Sequence, residues 1–204
     1  GMSSRKILSL DELAGQSHEF REQGKRVVLC HGTFDLMHTG HIRYLQRAKK
    51  EGDVLIVTVT ADAYVNKGPG RPIFNELLRA ENLAALECVD FVAINYAVTA
   101  VDALHQIKPS VYAKGSEYRS HGNDVTGNII REQEAVHAHG GEIFYTDEIT
   151  FSSSSLLNEH FGVFSPDTKD YLDRFRVKWP DREIHRMVEV LDTLNVLVVG
   201  DAII

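Results

Sequence analysis

One stretch of this 204-residue chain constrains its fold more than any other: an apolar run, a glycine turn and an amphipathic segment follow one another directly. The run Val27–Cys30 has the composition of a buried strand, and His31-Gly32 follows it as a tight turn. Apolar residues then recur at helical spacing from about Thr39 to Lys50. A strand, a glycine turn and a helix in this order are typical of α/β folds.

The first turn of that helix carries two histidines three residues apart. Either His38 or Thr39 is expected to cap the helix, so that His38 and His41 lie on one face of its first turn. Free backbone N–H groups and the positive end of the helix dipole point the same way, and Gly40 lets a bulky anion approach the backbone. A single histidine here is usually a cap or a surface residue. A pair around a glycine, directly after a strand, predicts a phosphate site.

Four further apolar runs are predicted as strands, separated from one another by helical segments: Val54–Val59, Asp90–Ile94, Ser110–Ala113 and Glu142–Tyr145. Continuous apolar runs between helices predict an α/β fold, a Rossmann-like, open, mainly parallel five-stranded sheet with helices on both faces. The helix between the second and third strands is predicted over Asn75–Cys88. Its leucines are expected to face the core, Leu77 and Leu78 among them.

Basic residues follow two of these strands at the edge where ligands of open α/β sheets bind. The loop after the second strand carries Lys67 and Arg71 between glycines and prolines, and Lys114-Gly115 directly follows the fourth strand. A loop lysine is usually only solvated, but these share an edge with the histidine pair. Arg79, in the following helix, is a further candidate, although an arginine on a helix surface is more often a salt-bridge partner.

Four consecutive serines, Ser152–Ser155, precede Leu156, Leu157 and His160 at helical spacing. A serine run on its own is equally typical of a flexible linker. Directly before a helix it gathers hydroxyl and free N–H groups at the helix N-terminus. We therefore predict a second phosphate cradle at this position.

The overall composition argues against several classes of protein. The 22 basic and 29 acidic residues give a net charge of −7, without a Lys/Arg-rich run, which argues against sequence-independent nucleic-acid binding. Two cysteines form neither a disulfide framework nor a zinc pattern and suit a reducing compartment. No apolar stretch approaches the roughly 20 residues of a membrane span, and no signal peptide precedes the first helix. We expect a cytoplasmic protein with no membrane or nucleic-acid partner and no dedicated metal site.

A longer motif links these residues to a known family. The segment Gly32-Thr33-Phe34-Asp35-Leu36-x-His38-x-Gly40-His41 resembles the signature of the nucleotidyltransferase superfamily that includes the cytidylyltransferases, and the resemblance covers about residues 25–160. Class I aminoacyl-tRNA synthetases share the shorter His-x-Gly-His. They would also need a Lys-Met-Ser-Lys-Ser-type loop and a basic anticodon-binding region, and this sequence has neither.

Two further motifs point to one branch of that superfamily. Lys114-Gly115-Ser116-Glu117-Tyr118 resembles the Lys-Gly-x-Asp-Tyr of the adenylyltransferase domain of ADP-heptose synthase, with glutamate in place of aspartate. Ser152-Ser153-Ser154 resembles the Ser-Thr-Thr of the same family. Thr150-Phe151 stands where glycerol-phosphate cytidylyltransferases carry an arginine, which favours the heptose-type branch.

The resemblance implies transfer of a nucleoside monophosphate from an NTP, with ATP favoured and CTP possible, to a phosphorylated sugar or polyol such as a heptose 1-phosphate. Pyrophosphate is released, and Mg²⁺ arrives on the NTP. The implied catalytic residues are His38, His41 and Lys67. The implied nucleotide-binding residues are Gly32, Thr33, Phe34, Gly40, Lys114, Gly115, Glu117, Ser152, Ser153 and Ser154, and the implied substrate-binding residues are Asp35, Arg71 and Arg79. A glycerol-3-phosphate-type cytidylyltransferase and a non-catalytic regulatory domain of a fused sugar kinase stay open as alternatives.

The domain organisation is predicted from changes in pattern along the chain. Residues 1–24 form an N-terminal helix packed on the domain, 25–163 the nucleotidyltransferase domain, and 164–194 a helical linker. Residues 195–204 are expected to be the first strand of a truncated second domain. Their Gly200-Asp201 resembles the end of the first strand in ribokinase-like sugar kinases, which a fused kinase would explain. Relatives of the first domain suggest a homodimer.

Overall fold

The computed structural model describes residues 3–115, 127–147 and 166–191. The chain divides into two compact units, residues 1–153 and residues 154–204. The predictions for Glu117, for Ser152, Ser153 and Ser154, and for the strand at 195–204 concern positions outside the described residues.

The first unit is built on a five-stranded sheet in which all paired strands run parallel. Its strands are β1 (Val27–Gly32), β2 (Val54–Thr60), β3 (Phe91–Asn95), β4 (Val111–Gly115) and β5 (Glu142–Thr146), in the order β3-β2-β1-β4-β5. This confirms the predicted Rossmann-like α/β sheet. The order reverses between β1 and β4, so the crevice at the carboxyl ends of these two strands is the place where such a sheet binds ligands.

Helices cover both faces of the sheet: α1 (Leu10–Glu22), α2 (Thr39–Lys49), α3 (Glu76–Ala84), α4 (Val101–Ile107) and α5 (Asn128–Ala138). Along β1, Val28 and Cys30 point into the core formed with α2 and α3, whereas Val27 and Leu29 point into the core formed with α1, α4 and α5. A strand buried on both faces needs apolar residues at every position. The two cores hold the carboxyl edge of the sheet in place.

The helix α3 differs from its prediction in which residues it buries. Leu77 and Leu78 are 54% and 45% exposed, so their predicted inward orientation is wrong, whereas Arg79 and Ala80 are fully buried. Apolar spacing could not show this, because the buried face includes an arginine. The structure makes its burial possible by supplying oxygen acceptors to the guanidinium.

The N-terminal helix α1 begins with a capping box. Ser9 Oγ accepts from Glu12 N, and the Glu12 carboxylate accepts from Ser9 N. The buried Ser17 hydroxyl donates to Ile107 O at 2.7 Å, which fastens α1 to α4. Helix α1 is thus part of the first unit's core, on the face that carries α4 and α5.

The described part of the second unit consists of two helices, α6 (Pro166–Lys178) and α7 (Asp181–Leu191). Arg174 and Asp170 form an exposed ion pair one turn apart on α6. Within the described ranges, none of the helices combines the length and the apolar character that crossing a bilayer requires.

The environment of His31, near the end of β1, makes the free energy of unfolding depend on pH. Burial lowers its pKa to about 4, and its Nδ1 lies 2.9 Å from Thr58 Oγ1. Protonation therefore favours the unfolded chain, where the pKa is about 6.5. The contribution of His31 to the free energy of unfolding is complete above pH 6.5 and falls as the pH drops towards 4. At pH 5 this residue alone lowers the free energy of unfolding by about 2 kcal/mol. Urea unfolding of wild type and His31→Gln between pH 7 and pH 5 measures this, and equal pH slopes would contradict it.

Candidate active site

Helix α2 is capped by its own histidines. His38 is the N-cap residue, and its Nδ1 accepts a hydrogen bond from Gly40 N at 3.0 Å. His41 Nδ1 accepts one from His38 N at 3.3 Å. These reciprocal bonds form a capping box made of imidazoles, and they confirm the predicted helix start.

The capping bonds also fix where each ring carries its proton. A ring nitrogen that accepts an N–H cannot carry a proton, so in the neutral rings of His38 and His41 the proton lies on Nε2. Burial, His38 and Lys67 lower the pKa of His41 to about 4, which keeps it neutral at physiological pH. The ring centroids lie 4.2 Å apart. The result is a pair of adjacent Nε2–H donors.

One of these donors has nothing to bind in the described part of the chain. His38 Nε2 is buried and lacks a hydrogen-bond partner there. A buried, unpaired donor costs free energy of about 1–3 kcal/mol. At the start of a helix, such a donor is suited to an anionic ligand that enters the crevice.

The turn between β1 and α2 is tight and strained. Phe34 has a left-handed φ of 50°, which few non-glycine residues adopt, and its ring is buried. The ring occupies the space beside Gly32, where an added Cβ would lie 3.0 Å from it. It also contacts the His41 ring edge-on, with centroids 5.9 Å apart. Gly32 and Phe34 therefore set the position of the histidine pair.

Asp35 fastens this turn to the loop after β2. Its carboxylate is buried and accepts hydrogen bonds from Ile73 N at 2.8 Å, Phe74 N at 2.9 Å and Arg71 Nε at 2.8 Å. Burial alone would raise the pKa of Asp35, but these three bonds lower it below its usual value. Because the protein itself occupies the carboxylate oxygens, the geometry favours a positioning role for Asp35 over the predicted substrate contact.

Arg71 is held by Asp35 on one side and free on the other. Its side chain is 10% exposed, and its Nη2 is buried without a partner among the described residues. Nearby, Lys67 has its pKa lowered by desolvation and by the charge of Arg71. The charge of Lys67 in turn contributes to the lowered pKa of His41. Arg71 and Lys67 thus form a cationic cluster beside His41 at the carboxyl edge of the sheet.

Arg79 lies beneath this cluster and not in it. Its guanidinium is fully buried and donates to Thr33 O at 2.8 Å and to Asp62 Oδ1 at 2.7 Å, while its Nε donates to Phe74 O at 2.9 Å. The arginine therefore ties the β1–α2 turn to the loop after β2. This geometry favours a positioning role in place of the predicted contact with substrate.

The end of β4 lies on the other side of the crevice. Tyr44 of α2 donates to Ala113 O at 2.6 Å, which ties the histidine-bearing helix to the strand that ends in Lys114 and Gly115. The Lys114 ammonium lies 3.3 Å from Glu132 Oε2. Tyr44 and Glu132 were missed by sequence reasoning, because a tyrosine and a glutamate in amphipathic helices look like core and solvent residues.

The site offers donors and cations but few oxygen ligands. Among the described residues, no group of three or more His, Cys, Asp or Glu side chains could hold a metal ion. Imidazole N–H groups, an arginine and two lysines suit the oxygens of a polyphosphate. The arrangement can bind an anion and stabilise negative charge that develops on it.

Comparison with known sequences agrees with this chemistry. The model of the family described as cytidylyltransferase-like matches residues 29–159. A relative named bifunctional protein HldE from Geobacter metallireducens is 41% identical over 143 residues, 69% of this chain and 28% of the relative. Its namesake from Methylobacillus flagellatus is 38% identical over 154 residues, 74% and 30% of the two chains. The chain thus matches less than a third of the length of these relatives.

Two solved structures share the fold. The lipopolysaccharide core biosynthesis protein from Thermoplasma volcanium is 26% identical with a TM-score of 0.51, and the match covers 62% of this chain and all of the other. Pantoate-beta-alanine ligase from Francisella tularensis, solved with a β,γ-ATP ligand and β-alanine, is 16% identical with a TM-score of 0.52. That match covers 74% of this chain and 72% of the ligase, and it bears on the fold alone.

Proposed function

Since the chain belongs to the cytidylyltransferase-like family and is a nucleotidyltransferase, we propose that it transfers AMP from ATP to a phosphorylated sugar or polyol, such as a heptose 1-phosphate. Pyrophosphate is the second product. The observation that carries this proposal is the pair of imidazoles at the start of α2, whose Nδ1 atoms are used by the capping bonds and whose Nε2–H groups are not. Donors of this kind suit the oxygens of a triphosphate.

The reaction needs little acid–base chemistry. An oxygen of the acceptor's phosphate attacks the α-phosphorus, a new P–O bond forms, and the bond to the bridging oxygen breaks as pyrophosphate leaves with its electron pair. The attacking oxygen is already anionic, so positioning and charge stabilisation supply the catalysis. His38 and His41 donate to phosphate oxygens, and Lys67 and Arg71 neutralise charge on the α-phosphate and the incoming phosphate.

The nucleotide is held from the opposite side of the crevice. Lys114 and the backbone of Gly115 approach it from β4. Gly40 lets phosphate oxygens approach the start of α2, and Gly32 makes room for the Phe34 ring in the turn before it. Mg²⁺ carried by the NTP would supply positive charge that shields the triphosphate. Glu117 and Ser152–Ser154 complete the proposed nucleotide site on the strength of their motifs.

The choice of ATP and of a sugar phosphate rests on the resemblance of Lys114-Gly115-Ser116-Glu117-Tyr118, Ser152-Ser153-Ser154 and Thr150-Phe151 to the heptose-type branch. A cytoplasmic homodimer and a fused sugar kinase belong to the same proposal. Sedimentation of the purified chain tests the dimer. The proposed partners are the NTP and the acceptor, without nucleic acid or membrane.

A thermal-shift panel tests the choice of nucleotide. We expect Mg·ATP to raise the melting temperature more than Mg·CTP, Mg·GTP or Mg·UTP, because at equal concentration the nucleotide with the lowest Kd stabilises the folded state most. A ligand at 100 times its Kd adds about 2.7 kcal/mol to the free energy of unfolding. Pyrophosphate release with heptose 1-phosphate, compared with glycerol 3-phosphate, then tests the acceptor. A larger shift with CTP would favour the glycerol-3-phosphate-type enzyme. Tight ATP binding without turnover on any acceptor would favour a regulatory domain.

A further inference from the structure

A buried ion pair supports the lysine on the β4 side of the crevice. Lys114 and Glu132 have side chains only 12% and 9% exposed, and Lys114 Nζ lies 3.3 Å from Glu132 Oε2. The ammonium also lies over the Tyr112 ring, 4.9 Å from its centroid. These contacts fix the direction of the Lys114 side chain along β4, beside the crevice from which a ligand would approach.

Glu132 itself is fixed by bonds that do not involve Lys114. Its Oε1 accepts from Tyr112 O–H at 3.0 Å and from Ala100 N at 3.3 Å. The first bond anchors Glu132 to β4 and the second to the start of α4. One carboxylate oxygen is therefore occupied by the scaffold, and the other faces the lysine.

Stability alone explains this pair poorly. Burying two charges costs several kcal/mol per ion before their attraction is counted, and apolar replacements of buried pairs are often neutral or stabilising. A lysine has four rotatable side-chain bonds, and immobilising it on binding costs about 0.5–1.5 kcal/mol. A partner that immobilises the lysine beforehand removes that cost from the binding step.

We propose that Glu132 is a positioning residue for the nucleotide: it acts through Lys114, which it orders at the end of β4 before the nucleotide arrives. The inference rests on the proposed function, because it needs Lys114 to contact a nucleotide. It assigns Glu132 a role that none of the motifs at residues 32–41, 114–118 and 152–154 includes.

The test is the Kd of Mg·ATP measured by calorimetry on the full chain. Glu132→Gln keeps the shape and leaves an amide oxygen for Tyr112 and Ala100, but removes the negative charge that faces Lys114. We expect the Kd to rise about tenfold, with a higher KM for ATP and a kcat within about threefold of wild type. In a Lys114→Met background the same substitution should change the Kd by less than twofold, because the residue through which it acts is gone.

Asp90→Asn is the matched control. The Asp90 carboxylate also accepts from a lysine ammonium, that of Lys49, and from a backbone N–H, that of Leu55, but it lies at the amino end of β3. We expect this variant to lose thermal stability and to bind Mg·ATP with the wild-type Kd. Equal effects of the two substitutions on the Kd would mean that Glu132 acts only through general stability.

Other outcomes separate this inference from the proposed function. If wild type binds Mg·ATP and Glu132→Gln binds it equally well, the role of Glu132 is wrong and the function stands. If the Glu132→Gln effect persists in full without Lys114, the inference also fails, because the two residues then act independently. Absence of nucleotide binding in wild type would overturn the proposed function itself.

Discussion

Replacing His41 with asparagine is expected to lower kcat for pyrophosphate release by about 10²–10³, the usual cost of one lost donor to developing negative charge. Asparagine places its Oδ1 near the position of Nδ1, so it can still accept from His38 N and preserve the cap. It has no atom at the position of Nε2. The melting temperature should therefore stay close to that of wild type while turnover collapses.

His41→Gln provides the complementary variant. Its amide nitrogen can occupy the position of Nε2 and donate to a phosphate oxygen, but it leaves His38 N without its acceptor. We expect a loss of stability of about 0.5–2 kcal/mol, as for other lost N-caps, and turnover within about tenfold of wild type. The opposite pattern, an active asparagine variant and an inactive glutamine variant, would show that the histidine pair serves the helix and not the reaction.

Local patterns predicted the framework of this site. An apolar run before Gly32 indicated β1, and two histidines around Gly40 indicated a capped helix start with free donors. Both follow from backbone geometry within ten residues, which a sequence shows directly. The parallel sheet followed in the same way, because continuous apolar runs require burial on both faces.

The supporting contacts could not be predicted because they join distant parts of the chain. Asp35 meets Ile73 and Phe74, and Arg79 meets Thr33 across the same turn. The residues next to Asp35 and Arg79 in the sequence do not show that the hydrogen-bond partners of these side chains, backbone N–H groups and a carbonyl, lie 38–46 residues away. For that reason the motif predicts Asp35 and Arg79 as ligands of the substrate, whereas their contacts in the fold favour positioning roles for both.

Asp35→Asn is expected to have the second large effect, on stability and on turnover together. In either orientation the asparagine nitrogen would face donors: Ile73 N and Phe74 N at the position of Oδ1, or Arg71 Nε and Ile73 N at that of Oδ2. Arg71 would also lose its negative partner. Breaking a buried pair in this way costs about 3–5 kcal/mol. The loop that carries Lys67 and Arg71 would also lose its attachment to the turn, so kcat should fall even at a temperature where the variant is fully folded.

Urea unfolding and pyrophosphate release, measured together, separate the two effects, and Asp62→Asn is the control. Asp62 also pairs with an arginine, Arg79, but it is 40% exposed, and the amide oxygen of asparagine can still accept from the guanidinium. We expect a smaller loss than for Asp35→Asn, because the amide oxygen keeps the hydrogen bond to the buried Arg79 guanidinium and water partly screens the Asp62 charge, with turnover close to wild type. The pKa of Asp35 is lowered on folding, so its contribution is present above pH 3.9 and lost as the pH falls through the folded pKa. The Asp35→Asn variant should lack this acid-dependent part, and a folded variant with wild-type turnover would show that the loop reaches the site without the carboxylate.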